Sequence, residues 1–406
     1  MRIGIDDTDS PAGMCTTYLG AVLIHRLKEA GISVTGQRLI RLNPNVIYKT
    51  RGNAAICIEA KGDTDAAFRI AAACIDELAE FDEEKTNPGL VVAETRLPVS
   101  FYLQAVTGFC TTEEAEAVCR AAGARVRKWK NGRGIIGATA ACAAEQDDMT
   151  SEILAYRDPN DKGERTVDRE SLFRAEEETF PHTWDTVDTA NDCIVCFPHT
   201  PDPVIFGIRG ESPEWVKKAR SYVKSQEPVI EIIYRTNQGT DAHLLEGDIA
   251  SLVDGCSYRL TGVVADTPET GRGGHVSFLI TDPSGVVRCM AYEPTKGFRD
   301  IIRALAPGDE ITICGSYKNG SINLEKLHVI SCAEIIRQRP PLCPSCGKRM
   351  KSDGVNKGWK CRRCKTRAEE PEIIHEPRTV SPGWYEVPPS ARRHLAKPLC
   401  RDVPPE

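Results

Sequence analysis

Three aspartates fall within four positions near the start of the sequence, in the stretch GIDDTDSPAGMCTT. Asp6, Asp7 and Asp9 follow a short apolar run and precede a helix-like segment. Carboxylates so close together repel one another, so they either take up protons or are held by cations. Magnesium is the expected cation, because it is commonly bound by one or two carboxylates together with phosphate oxygens of a substrate. The stretch therefore predicts a metal-assisted phosphate site.

The residues after the aspartates fit the same chemistry. Gly13, a candidate contact for the ATP phosphates, belongs to a turn, and Thr16 and Thr17 begin the next predicted helix. The free N–H groups at the start of a helix attract anions, so a metal-bound polyphosphate is expected between the acidic loop and this helix. The hydroxyl of a threonine there is also placed to accept a phosphoryl group.

Two other interpretations of this loop remain open on the residues alone. In the first, the loop is a solvated turn in which Thr16 or Thr17 only caps the helix. In the second, the loop is that of a haloacid-dehalogenase-type phosphatase, with Asp7 as nucleophile and Asp9 as acid. Ser10 departs from the Thr or Val that usually follows in that class, which weakens the second interpretation.

A second candidate site lies in RLNPNVIYKTRGN. Lys49, Arg51, Gly52 and Asn53 form a cationic corner with an accessible backbone. Such a corner would neutralise phosphates from the side opposite the metal. The alternative is an ordinary exposed basic turn.

A third candidate is a metal module with the spacing C-x2-C-x14-C-x2-C, formed by Cys343, Cys346, Cys361 and Cys364. Two C-x2-C knuckles joined by a loop of this length are typical of tetrahedral zinc. Because all four ligands are thiolates, the zinc is expected to be structural. Residues 341–367 also carry nine basic residues against one acid, which favours contact with a polyanion, although the charges could serve solubility alone.

Composition limits the class of protein. A chain of 406 residues with 41% hydrophobic and 27% charged residues indicates a globular protein of several domains. No apolar run approaches the roughly 20 residues that span a bilayer, and the first residues do not resemble a secretory signal, so we expect a cytoplasmic protein with reduced cysteines. The net charge of −6 argues against a general nucleic-acid coat.

The pattern of elements predicts an α/β plus β multidomain chain. Residues 1–110 alternate strands and helices, and residues 111–248 fit a ferredoxin-like sandwich. Residues 255–332 contain five strands with a helix between the third and the fourth, the order of an OB-fold, although another small barrel is possible. The zinc ribbon follows at residues 341–367, and residues 368–406 form a proline-rich, extended C-terminal arm.

Together these segments resemble the archaeal tRNA-isoleucine 2-agmatinylcytidine synthetases, the TiaS family. The matching segments are GIDDTDSPAGMCTTYL, RLIRLNPNVIYKTRGN, NGRGIIGA, DPVIFGIRGE, TNQGTDAHL, the barrel region and the ribbon. The resemblance implies a kinase-like ATP-binding domain, a ferredoxin-like domain, an OB-fold and a zinc ribbon.

The resemblance also implies a reaction. Agmatine replaces the C2 oxygen of the wobble cytidine in the CAU anticodon of an isoleucine tRNA, ATP is cleaved to AMP and two phosphates, and the tRNA then reads AUA. In the family pattern Asp6, Asp7 and Asp9 serve Mg²⁺ and ATP, and Thr16 is phosphorylated. The chemistry is reasonable, because phosphorylation turns a poor leaving oxygen into a good one.

The segment TNQGTDAHL is the candidate contact for the small substrates. Asn237 and Gln238 could hydrogen-bond cytosine or a guanidinium group, and Asp241 could pair with a cation. The alternative is a polar loop that finishes a strand. The barrel and ribbon are expected to hold the tRNA outside its anticodon, with neither a membrane nor a protein partner implied.

Two different classes of protein remain as rivals. A metal-dependent nucleic-acid phosphohydrolase would use Asp7 as nucleophile and release phosphate without any amine. A non-catalytic RNA-binding protein would use only the barrel and the ribbon, and its tRNA binding would not depend on the aspartates.

Overall fold

The structure is a computed structural model that describes residues 1–145, 147–161, 163–355 and 357–402. Its centre is a nine-stranded sheet built from two α/β halves. The elements of the first half are β1 (Arg2–Asp6), α1 (Thr16–Glu29), β2 (Ser33–Arg41), β3 (Ala54–Lys61), α2 (Thr64–Leu78), β4 (Gly89–Ala93), α3 (Val99–Thr107), α4 (Thr112–Ala121), β5 (Arg125–Lys128) and α5 (Ile135–Ala143).

Local sequence explains where several of these helices begin. The side chain of Asp63 accepts hydrogen bonds from the first turn of α2, and Thr111 and Glu114 form a reciprocal capping box at α4. Helix α1 buries one apolar face, which includes Leu19, Leu23 and Leu27, against the sheet.

The second half repeats the connection order of the first. Its elements are β6 (Thr150–Tyr156), α6 (Arg169–Thr179), β7 (Thr183–Trp184), β8 (Val187–Asp188), β9 (Cys193–Ile194), β10 (Val204–Gly210), α7 (Pro213–Tyr222) and β11 (Ile230–Thr236). The strand order is β4-β1-β3-β2 in the first half and β11-β6-β10-β7 in the second. Each half therefore places its fourth and third strands on either side of its first.

The two halves join where β2 and β11 pair in parallel, with Arg38 opposite Arg235 and Leu39 opposite Thr236. All other neighbours in the sheet are antiparallel. Strand β5 and helix α5, which lie beyond residue 110, pack on β4 and β1 of the first half. The first half therefore extends to about the end of α5.

The predicted barrel is confirmed. Its elements are β12 (Leu244–Glu246), β13 (Ser257–Val264), β14 (Glu269–Thr270), β15 (Val276–Asp282), β16 (Gly285–Ala291), α8 (Phe298–Arg303), β17 (Glu310–Lys318) and β18 (Ser321–Ser331). The five long strands close in the order β13-β15-β16-β18-β17, because β13 pairs with both β15 and β17. Helix α8 lies between the third and fourth long strands, as predicted.

The four cysteines of the predicted ribbon come together. The elements here are β19 (Ile335–Arg339), β20 (Lys351–Ser352), β21 (Trp359–Lys360), β22 (Arg367–Ala368), β23 (Glu372–Glu376) and β24 (Gly383–Glu386). The Sγ atoms of Cys343, Cys346, Cys361 and Cys364 lie within 4.8 Å of one another. Four thiolates at this separation suit a closed, structural zinc site.

The C-terminal arm returns from the ribbon to the α/β halves. Strand β24 adds to the barrel strand β18, and the chain then crosses to the second half. There Arg401 forms ion pairs with Glu211 at 2.6 Å and with Asp148 at 2.8 Å. Leu395 is buried in the apolar core of the first half. The arm therefore ties three parts of the molecule together.

No helix in the described ranges has the length and apolarity needed to cross a membrane.

We expect the purified protein to contain zinc, and Cys361→Ser to lose it, because a three-thiolate site binds the metal less tightly and the small ribbon depends on it for folding. Metal analysis of the purified chain, with limited proteolysis of residues 340–380, checks this. Cys193→Ser is the matched control, since Cys193 lies in β9 away from the ribbon. Retention of zinc and of protease resistance by Cys361→Ser would contradict the assignment.

Candidate active site

Strand β1 delivers the acidic residues to the edge of the core. Ile3 and Ile5 are fully buried, and Asp6 is the last residue of the strand. Asp7 has a φ of 57°, the left-handed conformation that aspartate tolerates better than most residues. Its carbonyl accepts a hydrogen bond from the N–H of Asn87 at 3.0 Å, which fixes the turn.

Asp9 caps α1 from outside the helix. Its Oδ1 accepts a hydrogen bond from the N–H of Thr16 at 2.7 Å. The hydroxyl of Thr16 accepts hydrogen bonds from the hydroxyl of Thr8 at 3.0 Å and from its N–H at 3.3 Å. Thr16 is only 3% exposed, so its hydroxyl is held in one place.

Helix α5 approaches the acidic loop very closely. A methyl group at Gly137 would lie 1.9 Å from Oδ2 of Asp6, and one at Gly89 would lie 2.0 Å from the backbone nitrogen of Ile135. Only glycine fits at such contacts. On the same side, Arg133 donates a hydrogen bond from Nη2 to Oδ2 of Asp7 at 2.8 Å.

Burial changes the acidity of this loop. Burial, followed by the charge of Asp7, raises the pKa of Asp6 well above its usual range. Burial also raises the pKa of Asp7 to about 7, although the guanidinium of Arg133 opposes the shift. Burial therefore disfavours free negative charge on Asp6 and Asp7, which is the situation in which such a loop takes up protons or binds a cation.

The aspartates do not form a ready-made metal cage. Within the described part of the chain, the four ribbon cysteines are the one group that brings three or more His, Cys, Asp or Glu ligand atoms together. Magnesium usually keeps several water or phosphate ligands and needs only one or two carboxylates. The donor set of Asp6, Asp7 and Asp9 fits such partial coordination.

A cavity of about 170 Å³ opens beside the acidic loop. It brings together most of the residues that the sequence singled out, because Asp6, Asp7, Asp9, Thr16, Lys49, Gly52 and Asn53 all line it. Residues that the sequence analysis did not single out, among them Tyr48, Phe109 and Arg133, complete the lining. The two candidate phosphate sites are therefore one site.

A second cavity of about 280 Å³ lies on the other side of the same wall. Asp9, Thr16, Gly52 and Ala54 line both cavities. The second cavity is also lined by charged residues from both halves of the sheet and by His394 of the arm; the charged ones are Arg41, Arg51, Glu152, Asp202 and Arg209.

The two carboxylates from the second half of the sheet that line this cavity differ in how many hydrogen bonds and ion pairs their oxygens make. Asp202 accepts a hydrogen bond from the N–H of Val204 at 3.0 Å and forms an ion pair with Arg51 at 3.2 Å. Glu152 accepts a hydrogen bond from Nε2 of Gln238 at 2.6 Å, but only through Oε2. Its Oε1 lies beside Gly207, where a methyl group would come within 3.0 Å.

Several predicted site residues lie elsewhere. Gly13 and Arg51 do not line the first cavity; Arg51 instead joins Asp9 to Asp202 in the second. Asn237 lines neither cavity, and it fixes the backbone of Arg41 through hydrogen bonds of 2.8 Å in both directions.

Gln238 and Asp241 also line neither cavity. Gln238 acts on Glu152, as described above. Asp241 forms an ion pair with Lys326 of the barrel and accepts a hydrogen bond from the N–H of Lys397 in the arm at 2.7 Å. Its carboxylate therefore joins domains.

Glu152 and His394 were missed from the sequence. Glu152 could have been found, because it lies in the apolar run TSEILAY of β6, and a carboxylate buried in such a strand is costly unless it has a partner. His394 carried no signal, since it lies in an irregular, proline-rich segment.

Three domain families match the chain. The TiaS TCKD domain matches residues 2–68 and 58–131, the TiaS FLD domain matches residues 132–243, and the TiaS C-terminal zinc ribbon domain matches residues 340–380.

Full-length relatives agree with these matches. The tRNA-isoleucine 2-agmatinylcytidine synthetase TiaS of Methanocorpusculum labreanum is 49% identical over 99% of this chain and 97% of its own length. A crystal structure of TiaS in complex with its isoleucine tRNA and ATP superposes with a TM-score of 0.93 at 44% identity, covering 98% of this chain and 97% of that one. A crystal structure of TiaS in complex with the same tRNA, AMPCPP and agmatine superposes with a TM-score of 0.90 at 42% sequence identity, covering 98% of this chain and 96% of that one. The chain belongs to the tRNA-isoleucine 2-agmatinylcytidine synthetase (TiaS) family.

Proposed function

We propose that this protein joins agmatine to C2 of the wobble cytidine of the isoleucine tRNA with anticodon CAU, at the expense of ATP. The observation that carries the proposal is the position of Thr16 in the wall between two cavities. One cavity suits a metal-bound polyphosphate, and the other suits a cationic amine beside a nucleobase. Relatives crystallised with isoleucine tRNA and ATP, or with AMPCPP and agmatine, support the same substrates.

In the first step Thr16 receives a phosphoryl group from ATP. Lys49, Arg133 and the backbone at Gly52 hold the phosphates, and the contacts from Thr8 hold the hydroxyl oxygen in place. Asp6, Asp7 and Asp9 would hold Mg²⁺, which would supply neutralisation of the charge on the transferred group. Asn53 completes this phosphate-binding corner. Transfer of the terminal phosphoryl group leaves ADP, and hydrolysis of the remaining phosphoanhydride bond by water then gives AMP and the second phosphate.

In the second step the phosphoryl group moves to O2 of the cytidine, and the primary amine of agmatine then attacks C2 as the phosphate leaves. The modified cytidine pairs with A, so the tRNA reads AUA. Splitting one difficult displacement into two is the usual advantage of a covalent intermediate. The base must leave its stack to reach the second cavity, which costs a few kcal/mol.

The guanidinium end of agmatine binds Glu152. Its Oε1 accepts no hydrogen bond from the described residues and lies beside the space that Gly207 leaves open. Gln238 holds the other oxygen and so orients the carboxylate. In this proposal Glu152, rather than Gln238 or Asn237, makes the direct contact with the substrate. Asp241 links the barrel to the arm instead of binding the substrate.

The remaining domains bind tRNA in this proposal. The barrel presents the loop of residues 270–275, and the ribbon presents its nine basic residues between 341 and 367. We assign a kinase-like role to the first α/β half and a ferredoxin-like fold to the βαββαβ order of the second. The family domain match changes at residue 132, and helix α5 still packs on the first half, so we place the boundary between residues 132 and 144 rather than at 110. The reaction then takes place in the cytoplasm.

The direct test is incubation of the protein with ATP, radiolabelled agmatine and a tRNA transcript of anticodon CAU. Label should enter the tRNA only when ATP is present. A transcript with anticodon CAG in place of CAU is the control. Phosphate release without amine incorporation would favour a phosphohydrolase, and tRNA binding without ATP turnover would favour a non-catalytic binder.

Thr16→Val should abolish phosphoryl transfer to the protein and agmatine incorporation, because valine keeps the shape of threonine but has no oxygen to accept phosphate. Mass spectrometry of the protein after incubation with ATP measures the first effect. Thr64→Val is the matched control, since Thr64 is the first residue of α2 as Thr16 is of α1. Full activity of Thr16→Val would rule out this acceptor.

Acid should weaken magnesium-dependent ATP binding. Because the pKa of Asp7 is about 7, the carboxylate that binds the metal is increasingly protonated as pH falls below that value. The apparent Mg²⁺ concentration for half-maximal ATP binding should rise about tenfold per pH unit below pH 7 and level off above it. Fluorescence titration with an ATP analogue at several pH values checks this; a flat profile would contradict it.

Glu152→Gln should raise the KM for agmatine about 10- to 100-fold, as expected for loss of a charge-assisted hydrogen bond of about 1.5–3 kcal/mol. Phosphorylation of Thr16 should be unchanged, because Glu152 does not line the first cavity. Steady-state incorporation of labelled agmatine gives the KM. Glu178→Gln, on an exposed position of α6, is the control. An unchanged KM would move the agmatine site elsewhere.

A further inference from the structure

The C-terminal arm inserts one side chain into the second cavity. The carbonyl of His394 accepts a hydrogen bond from the N–H of Gly239 at 2.8 Å, and the carbonyl of Leu395 accepts one from the N–H of Asp241 at 2.8 Å. The side chain of Leu395 is buried among core residues of the first half. The backbone on both sides of the imidazole is therefore fixed, and the ring, which keeps an exposed surface, lines the cavity.

The imidazole of His394 is available for a reaction. The ring is exposed and makes no hydrogen bond to any residue in the described part of the chain, and its Cε1 lies 3.9 Å from the position of a methyl group at Gly52. The charge of Arg41, then the burial of the cavity within the molecule, and then Arg209 and Lys49 hold the pKa of this imidazole well below its usual range, so the ring is neutral near pH 7. One of the two nitrogens of a neutral imidazole carries no hydrogen, so its lone pair can accept a proton.

The other groups of this cavity are already occupied or unsuitable as proton acceptors. Asp202 is held by Arg51 and by a backbone N–H, and Glu152 is the partner of the guanidinium in the proposed function. Burial raises the pKa of the Cys15 thiol to about 11, so it stays protonated. The ionisable groups around the imidazole are Asp9, Cys15, Arg41, Lys49, Arg51, Glu152, Cys196, Asp202 and Arg209.

We propose that His394 accepts the proton from the amine of agmatine in the amination step. As the nitrogen bonds to C2 of the phosphorylated cytidine, it becomes acidic, and its proton passes to the free imidazole nitrogen. The bond from C2 to the phosphorylated oxygen breaks, and its electron pair leaves with the phosphate. Arg41, Arg209 and Lys49 lie around the imidazolium and disfavour its charge, so the ring passes its new proton on to solvent and returns to the neutral form. This inference rests on the proposed function.

The role also explains why the arm returns to the catalytic halves. The same segment contacts the loop that holds the phosphates and the barrel, because Arg393 donates a hydrogen bond to Asn45 at 3.0 Å and forms an ion pair with Glu325 at 3.3 Å. Proper seating of the barrel therefore places His394 in the cavity.

His394→Gln tests the role, because glutamine keeps a hydrogen-bonding side chain that does not take up a proton. Phosphorylation of Thr16 and the KM for agmatine should be unchanged, while kcat for agmatine incorporation should fall about 100-fold or more. The deficit should shrink when 2,2,2-trifluoroethylamine replaces agmatine, because its nitrogen loses a proton to water far more easily. His25→Gln, exposed on α1, is the matched control.

The outcomes separate the inference from the function on which it rests. A wild-type protein that incorporates no agmatine contradicts the proposed function. A His394→Gln variant with wild-type kcat, with only a raised KM, or with an equal deficit for both amines contradicts the role of His394. The melting temperature of each variant, compared with the wild type, shows whether a loss of activity reflects unfolding, and His394→Asn then provides the second test.

Discussion

The carboxylate of Asp9 is the interaction on which the site depends. It accepts the first N–H of α1, and it forms an ion pair at 3.1 Å with Arg51, which in turn reaches Asp202 of the second half at 3.2 Å. This chain of contacts runs from Asp9, which lines both cavities, along the side of the second cavity to Asp202. Asp202 is only 3% exposed in its side chain, and without Arg51 its carboxylate would keep only the more distant guanidinium of Arg165, at 3.6 Å, as an ionic partner, so loss of Arg51 should destabilise the site. The wall is therefore rigid where Thr16 must be held.

The sequence allowed prediction of features that depend on local spacing. The acidic loop, the threonine at the start of α1, the four cysteines and the five barrel strands all lie within short segments whose spacing has a physical meaning. The repeated strand order of the two halves could not be predicted, because no residue pattern is repeated with it. Pairing of β2 with β11 joins positions about 200 residues apart, and nothing local encodes such a contact.

The second cavity shows the same limit at the level of single residues. Gln238 and Asp241 were expected in contact with substrate because their side chains suit it, yet one orients Glu152 and the other binds Lys326. A polar side chain in a loop has the same chemistry whether it faces a ligand or another domain. Only the fold decides between the two. His394 lines the second cavity although its segment has no pattern that predicts a site.

Separate cavities solve a problem of charge. Under the proposed function, the ammonium and guanidinium groups of agmatine in one open cavity would compete with magnesium for the carboxylates of the acidic loop, and the arginines would draw the polyphosphate away from the metal. With the wall in place, Asp6 and Asp7 face only the first cavity, and Glu152 and Asp202 face only the second. Thr16 lines both cavities, and in the proposed reaction its hydroxyl is the nucleophile. The proposed passage of the phosphoryl group through Thr16 would keep the two sets of charges apart while connecting their chemistry, which is the electrostatic advantage of a covalent relay here.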